Sequence, residues 1–156
     1  MKMLCNMIWW AAFITSAVVV QSLLPGLDAL VVGLLILLQN RDYKNMFWLA
    51  PFFIFLQEGM GTRFFGGSIF LYSVVVVIFR MSLWFFEVEN FLFVFLLSAC
   101  LMVPYYVLDW FMASLQNITF DMEKTLDKCF LQAVFLPFAW YFCTMTRRWT
   151  KYDDVT

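Results

Sequence analysis

Six apolar stretches, separated by short polar or glycine-bearing breaks, organise the chain, at about 3–24, 27–39, 46–57, 68–86, 91–115 and 128–146. A span of the bilayer needs about 20 mainly apolar residues. The first, fourth and fifth stretches approach or exceed that length, whereas 27–39 and 46–57 are short for a full crossing. Pro25-Gly26 makes a tight turn after the first stretch, because proline cannot continue a helix and glycine accepts any φ. Residues 39–45 form the clearest hydrophilic loop. Ahead of the last stretch, Met122, Leu126, Cys129 and Ala133 recur at helical spacing while charged residues fill the other faces. That pattern predicts an amphipathic segment lying at the interface before the helix enters lipid. Backbone amides in hydrocarbon must be satisfied within the segment, so the expected fold is all-α: six transmembrane helices in one domain.

Composition agrees with the pattern. Of 156 residues, 64% are hydrophobic and only 13% charged, against about 25% charged in soluble domains. Ten Lys+Arg against 11 Asp+Glu give a net charge of −1, which leaves no basic footprint for nucleic acid. Histidine is absent, and the four cysteines show no CxxC spacing. With no phosphate loop, dinucleotide fingerprint or hydrolase motif either, neither cofactor nor catalytic apparatus is expected.

The distribution of Lys and Arg sets the expected orientation. With a cytoplasmic N-terminus, Lys2, Arg41, Lys44, Arg80, Arg147, Arg148 and Lys151 fall on the inner side, and Arg63, Lys124 and Lys128 on the outer. Both termini are then cytoplasmic. Trp9-Trp10, Trp48, Trp84 and Trp149 fit as interfacial anchors near the ends of the stretches.

Few residues are candidates for function. Asp109 stands in an apolar run, where a carboxylate costs about 2.5–3.5 kcal/mol on insertion scales and so faces protein or water. It reads as a proton or ion site or a polar anchor, or else as a carboxylate hydrated at the interface. Arg80 reads as a snorkelling cation near Glu87 and Glu89, with an intramembrane pair to Asp109 as the sharper option. Gly59, Gly61, Gly66 and Gly67 are four of the six glycines, clustered with Glu58 and Arg63. They suit a sharp turn, a re-entrant segment or close helix approach. Glu58 and Asp109 are the sole pair that an acid–base enzyme would use. Gly33, Ser73 and Ala99 mark faces where partner helices are expected to pack. Asn117-Ile118-Thr119 matches a glycosylation triplet on the outer side, a short pattern of little weight.

Three segments carry a family resemblance. Residues 17–25 (AVVVQSLLP) resemble the end of the first helix of the bacterial rod-shape-determining MreD proteins. Residues 53–66 (FIFLQEGMGTRFFG) resemble that family's central signature, an apolar run and an acidic residue before a glycine-containing turn. Here Gln57 holds the position nearest the family's acidic residue, with Glu58 displaced by one. Residues 134–140 (VFLPFAW) through Arg147-Arg148 are similar to its last helix and basic end, and Asp109 matches an acidic residue frequent in its fifth helix. The resemblance implies a non-enzymatic inner-membrane scaffold of the machinery that elongates the cell wall. Its implied partner is an MreC-like single-span protein, and through it an actin-like filament and the peptidoglycan polymerase and transpeptidase. It also implies a fold similar to the substrate-binding subunits of energy-coupling-factor vitamin importers, which supplies the alternative function of small-molecule uptake.

Overall fold

The computed structural model describes residues 2–61, 66–85 and 90–152. Among them the chain forms six helices joined by short turns, with no strand: α1 (Lys2–Leu23), α2 (Leu30–Gln39), α3 (Tyr43–Gly59), α4 (Gly67–Ser82), α5 (Phe91–Leu115) and α6 (Met122–Tyr152). Three stretches, Leu4–Leu23, Phe91–Leu115 and Met122–Arg148, are long and apolar enough to cross a membrane. The chain is thus a helical membrane protein. Helix α2 is only ten residues long, about 15 Å at 1.5 Å per residue.

That short helix is the core. Every residue from Leu30 to Leu38 is buried, and α2 packs against α1, α3, α4 and α6. Those four helices surround it, and α5 packs outside it, on α4 and α6. Helix α6 packs on α1 and α5, α5 on α4, and α4 on α3. Aromatic side chains close the ring between α1 and α3, where Trp10 and Phe13 meet Phe53 at ring-centroid distances of 6.2 and 6.4 Å. Each outer helix buries one stripe at three- to four-residue spacing, such as Leu71, Val75 and Phe79 on α4 or Cys129, Gln132, Leu136 and Trp140 on α6. The remaining faces are covered with exposed apolar groups, among them Phe55, Val103, Phe138 and Phe142. A water-soluble protein does not present such a surface; hydrocarbon tolerates it.

Several expectations change. Helix α2 begins at Leu30 rather than at 27, because residues 24–29 form the connecting turn, with Gly26 at φ +105. Helix α3 begins at Tyr43 rather than at 46, since the Asp42 side chain accepts from Asn45 N–H and caps its first turn. The last helix begins at Met122 rather than at 128, because the amphipathic segment 122–128 is the start of the continuous 31-residue α6. Its Met122 and Leu126 are exposed, and only Cys129 reaches the core. At the head of that helix the Asp121 carboxylate lies 2.9 Å from Lys124 Nζ. This hydrogen bond from the lysine holds the Asp121 carboxyl below its ordinary pKa.

Gly33 is an internal packing residue rather than part of a partner face. A Cβ there would lie 2.6 Å from Phe13 Cε1 and 3.0 Å from Phe53 Cε2, so α1 and α3 approach α2 over a bare backbone. Ser73 and Ala99 remain on exposed faces. Gly33→Val is therefore expected to lower stability by about 1–3 kcal/mol through overpacking. This is read as a fall in the thermal midpoint of the detergent-purified protein, and an unchanged midpoint contradicts the close approach.

Candidate functional site

A short buried helix leaves main-chain donors and acceptors at both ends without helical partners; here the first end lies inside the bundle, while the second opens toward its surface at Asn40 and Arg41. Polar side chains gather into two sites, one at each end of α2.

At the first end the chain turns from α1 into α2 through Asp28. Asp28, Gln21, Gln57 and Gln132 are all buried, contributed by the α1–α2 turn, α1, α3 and α6. The Gln132 amide pairs with the main chain of Asp28. Its Oε1 accepts from Asp28 N–H at 2.7 Å, and its Nε2 donates to Asp28 O at 2.9 Å. Asp28 Oδ1 accepts from Val31 N–H at 3.3 Å, which caps α2, and a carboxylate there also favours the positive end of the helix dipole. Gln21 Nε2 bridges two elements, donating to Asp28 Oδ1 at 3.3 Å and to Gln57 Oε1 at 2.9 Å. One carboxylate and three amides thus join four parts of the fold. The hydroxyls of Tyr72 and Tyr105 and the side chain of Ser68 are also buried in α4 and α5.

The second end is aromatic. Trp140 Nε1 donates to Gln39 Oε1 at 2.9 Å, which fastens the last residue of α2 to α6. Asn40 Nδ2 donates to Ile36 O at 2.8 Å, beside the bond which that carbonyl accepts from Asn40 N–H. About two helical turns beyond Trp140 on α6, Arg147 is buried with its guanidinium 5.0 Å from the ring centroids of both Trp9 and Trp10, close enough for cation–π attraction. Asp42 also lies near enough to act on Arg147 electrostatically. The start of α1 and the end of α6 are thus at the same end of the bundle.

The sequence candidates fall largely outside these sites. Gln57, not Glu58, points into the core. Glu58 is half-buried, and its Oε1 accepts from Gly66 N–H at 3.0 Å, tying the end of α3 to the start of α4. Gly61 and Gly66 take left-handed φ of +64 and +79, and a Cβ at Gly59, Gly61 or Gly66 would meet nothing within 4 Å. These glycines serve the turn and not a close approach; at Gly67 a Cβ would make an ordinary 3.8 Å contact with Met112. Arg63, Glu87 and Glu89 lie outside the described residues. Asp109 is half-buried on α5, a different helix from those that supply the network around Asp28.

The Arg80–Asp109 pair is excluded by depth. Phe79 packs edge-on against Phe93, which sets Arg80 level with the start of α5, and roughly 24 Å of helix rise separates Phe93 from Asp109. Among the described residues no cluster of three or more His, Cys, Asp or Glu side chains could hold a metal ion. Comparison with protein-family models, curated proteins and solved structures gives no match.

Gln132→Leu removes both partners of the buried Asp28 peptide groups. The expected loss is about 1–3 kcal/mol, the usual range for a buried polar group left unsatisfied. It is read as a lowered thermal midpoint in detergent, whereas Gln116→Leu, at an exposed position after α5, is expected to stay within experimental error of wild type.

Proposed function

We propose that the chain is a multi-pass scaffold of the MreD type in the bacterial inner membrane, with both termini cytoplasmic. In this reading it holds an MreC-like single-span protein, and through it the actin-like filament and the peptidoglycan polymerase and transpeptidase of side-wall elongation. All six helices would sit at membrane depth, with α2 as a shortened inner element. The observation that carries the proposal is the filled centre of the ring. Buried α2 side chains occupy the middle, and the polar groups at its ends bond to other parts of the same chain. What remains for recognition is the outer apolar surface, where helices associate by packing and by small residues that permit close approach.

The same observation favours a scaffold over a vitamin-type importer subunit, which needs a cavity with convergent polar groups near the midplane. It also favours a scaffold over an enzyme acting on lipid. Glu58 is engaged in the α3–α4 turn, and Asp109 stands on another helix.

The test is affinity purification of the tagged full chain from its native membrane in mild detergent. The expected result is stoichiometric recovery of a single-span protein with a large external domain. Ser73→Trp with Ala99→Trp, on exposed faces of α4 and α5, is expected to cut that recovery at least ten-fold without moving the thermal midpoint. Tight, saturable binding of a water-soluble nutrient by the purified chain, with no such partner, contradicts the reading.

A further inference from the structure

Near the aromatic end, the close of α2, the start of α3 and the last turn of α4 enclose a cleft of about 30 Å³. Its floor is apolar: Leu38 and Phe79 are buried and Leu83 borders them. Its rim carries two guanidinium groups, Arg41 and Arg80, together with Tyr43. Both arginines are exposed, and no carboxylate among the described residues lies within salt-bridge reach of either. The carboxylate nearest to Arg41 in sequence, Asp42, is committed elsewhere, and Glu87 and Glu89, those nearest to Arg80, lie outside the described residues. Asp42 accepts from Asn45 Nδ2 at 2.6 Å and from Asn45 N–H, and it acts on Arg147. Arg41 is also held at φ 52, a left-handed backbone that a residue with a side chain seldom adopts.

Two exposed guanidinium groups over an apolar floor, with no ion-pair partner among the described residues, match one kind of ligand. Guanidinium forks bind phosphate oxygens in paired, charge-assisted hydrogen bonds, and basic pockets between helices at a membrane face suit anionic head groups. The floor and the flanking outer faces of α3 and α4, which expose Phe47 and Val77, offer hydrocarbon surface to an acyl chain. A free inorganic phosphate has no use for that surface.

We propose that this cleft binds the phosphate group of an anionic phospholipid, with Arg41 and Arg80 as its ligands and the acyl chains lying along α3 and α4. The site requires the bundle to lie in a bilayer, but it is independent of which protein the bundle holds.

The test is native mass spectrometry of the detergent-purified full chain, titrated with phosphatidylglycerol and, separately, phosphatidylcholine. The expected result is at least ten-fold tighter retention of phosphatidylglycerol. Arg41→Gln with Arg80→Gln is expected to bring the two lipids within two-fold of each other. Lys124→Gln with Lys128→Gln, which removes the same charge from the opposite end, is expected to keep the preference. Four results overturn the proposal: equal binding of the two lipids by wild type, a preference that survives loss of both arginines, an equal loss in the charge-matched control, or displacement of phosphatidylglycerol by millimolar inorganic phosphate. Should the double arginine variant fail to fold, photoactivatable phosphatidylglycerol on the wild-type chain decides the matter. Cross-links at residues 38–43 and 79–83 support the site, and cross-links confined to other segments overturn it.

Discussion

A helix of about 15 Å cannot cross about 30 Å of hydrocarbon, so the end groups of α2 must find their partners in protein. An unanswered main-chain donor or acceptor at that depth costs several kcal/mol. The chain meets the requirement locally: Asp28 Oδ1 accepts from Val31 N–H at the first end, and Arg41 N–H and Asp42 N–H donate to Leu38 O and Leu37 O at the second. Side chains from one long neighbour then pin the residues at the two ends. Gln132 holds the peptide groups of Asp28 before α2, and Trp140 holds Gln39 at its close. These two positions are eight residues apart on α6, about 12 Å of rise, which is close to the length of the short helix between them. Helix α6 thus clips α2 at both ends and is itself one of the outer helices packed around it.

This division of labour explains the contrast between centre and periphery. Inside, size and shape are specified closely: bare Gly33 admits two phenyl rings, and Gln21 fixes the relation of α1 to α3 through Gln57. Outside, most positions need only be apolar, because lipid makes no demand on shape. Polar residues on the outer faces answer themselves locally, as when Thr15 and Ser73 donate to the carbonyls four residues earlier. A bundle that spends its polar groups on its own interior keeps its outer faces free for lipid and for other helices.

The helical class and the positions of the helices were legible because apolar runs and Pro-Gly breaks report directly on the backbone. The polar core was not. Asp28 stands at the head of an apolar run just after Pro25-Gly26, where a carboxylate looks like part of an exposed turn. Gln21, Gln57 and Gln132 each sit at the edge of an apolar run, where an amide looks interfacial. A signal was nonetheless present: a stretch too short to span, headed by an aspartate, requires buried partners, and three glutamines near the ends of other stretches supply them. Asp109 and Glu58 drew attention as charges in apolar surroundings, yet hydropathy cannot distinguish a half-buried carboxylate from one at the heart of the fold. The continuity of α6 through 122–128 was hidden for a related reason. Charged residues on a helix that protrudes from a bundle look the same in sequence as an interfacial turn.

The most direct measurement of an enclosed α2 is the set of nuclear Overhauser contacts between methyl groups and lipid acyl chains in bicelles. The account predicts that Leu34, Leu35 and Ile36 contact protein protons only, while Val77 on α4 and Val103 on α5 contact acyl chains. Acyl-chain contacts at Ile36 or Leu34 as strong as those at Val103 would contradict it.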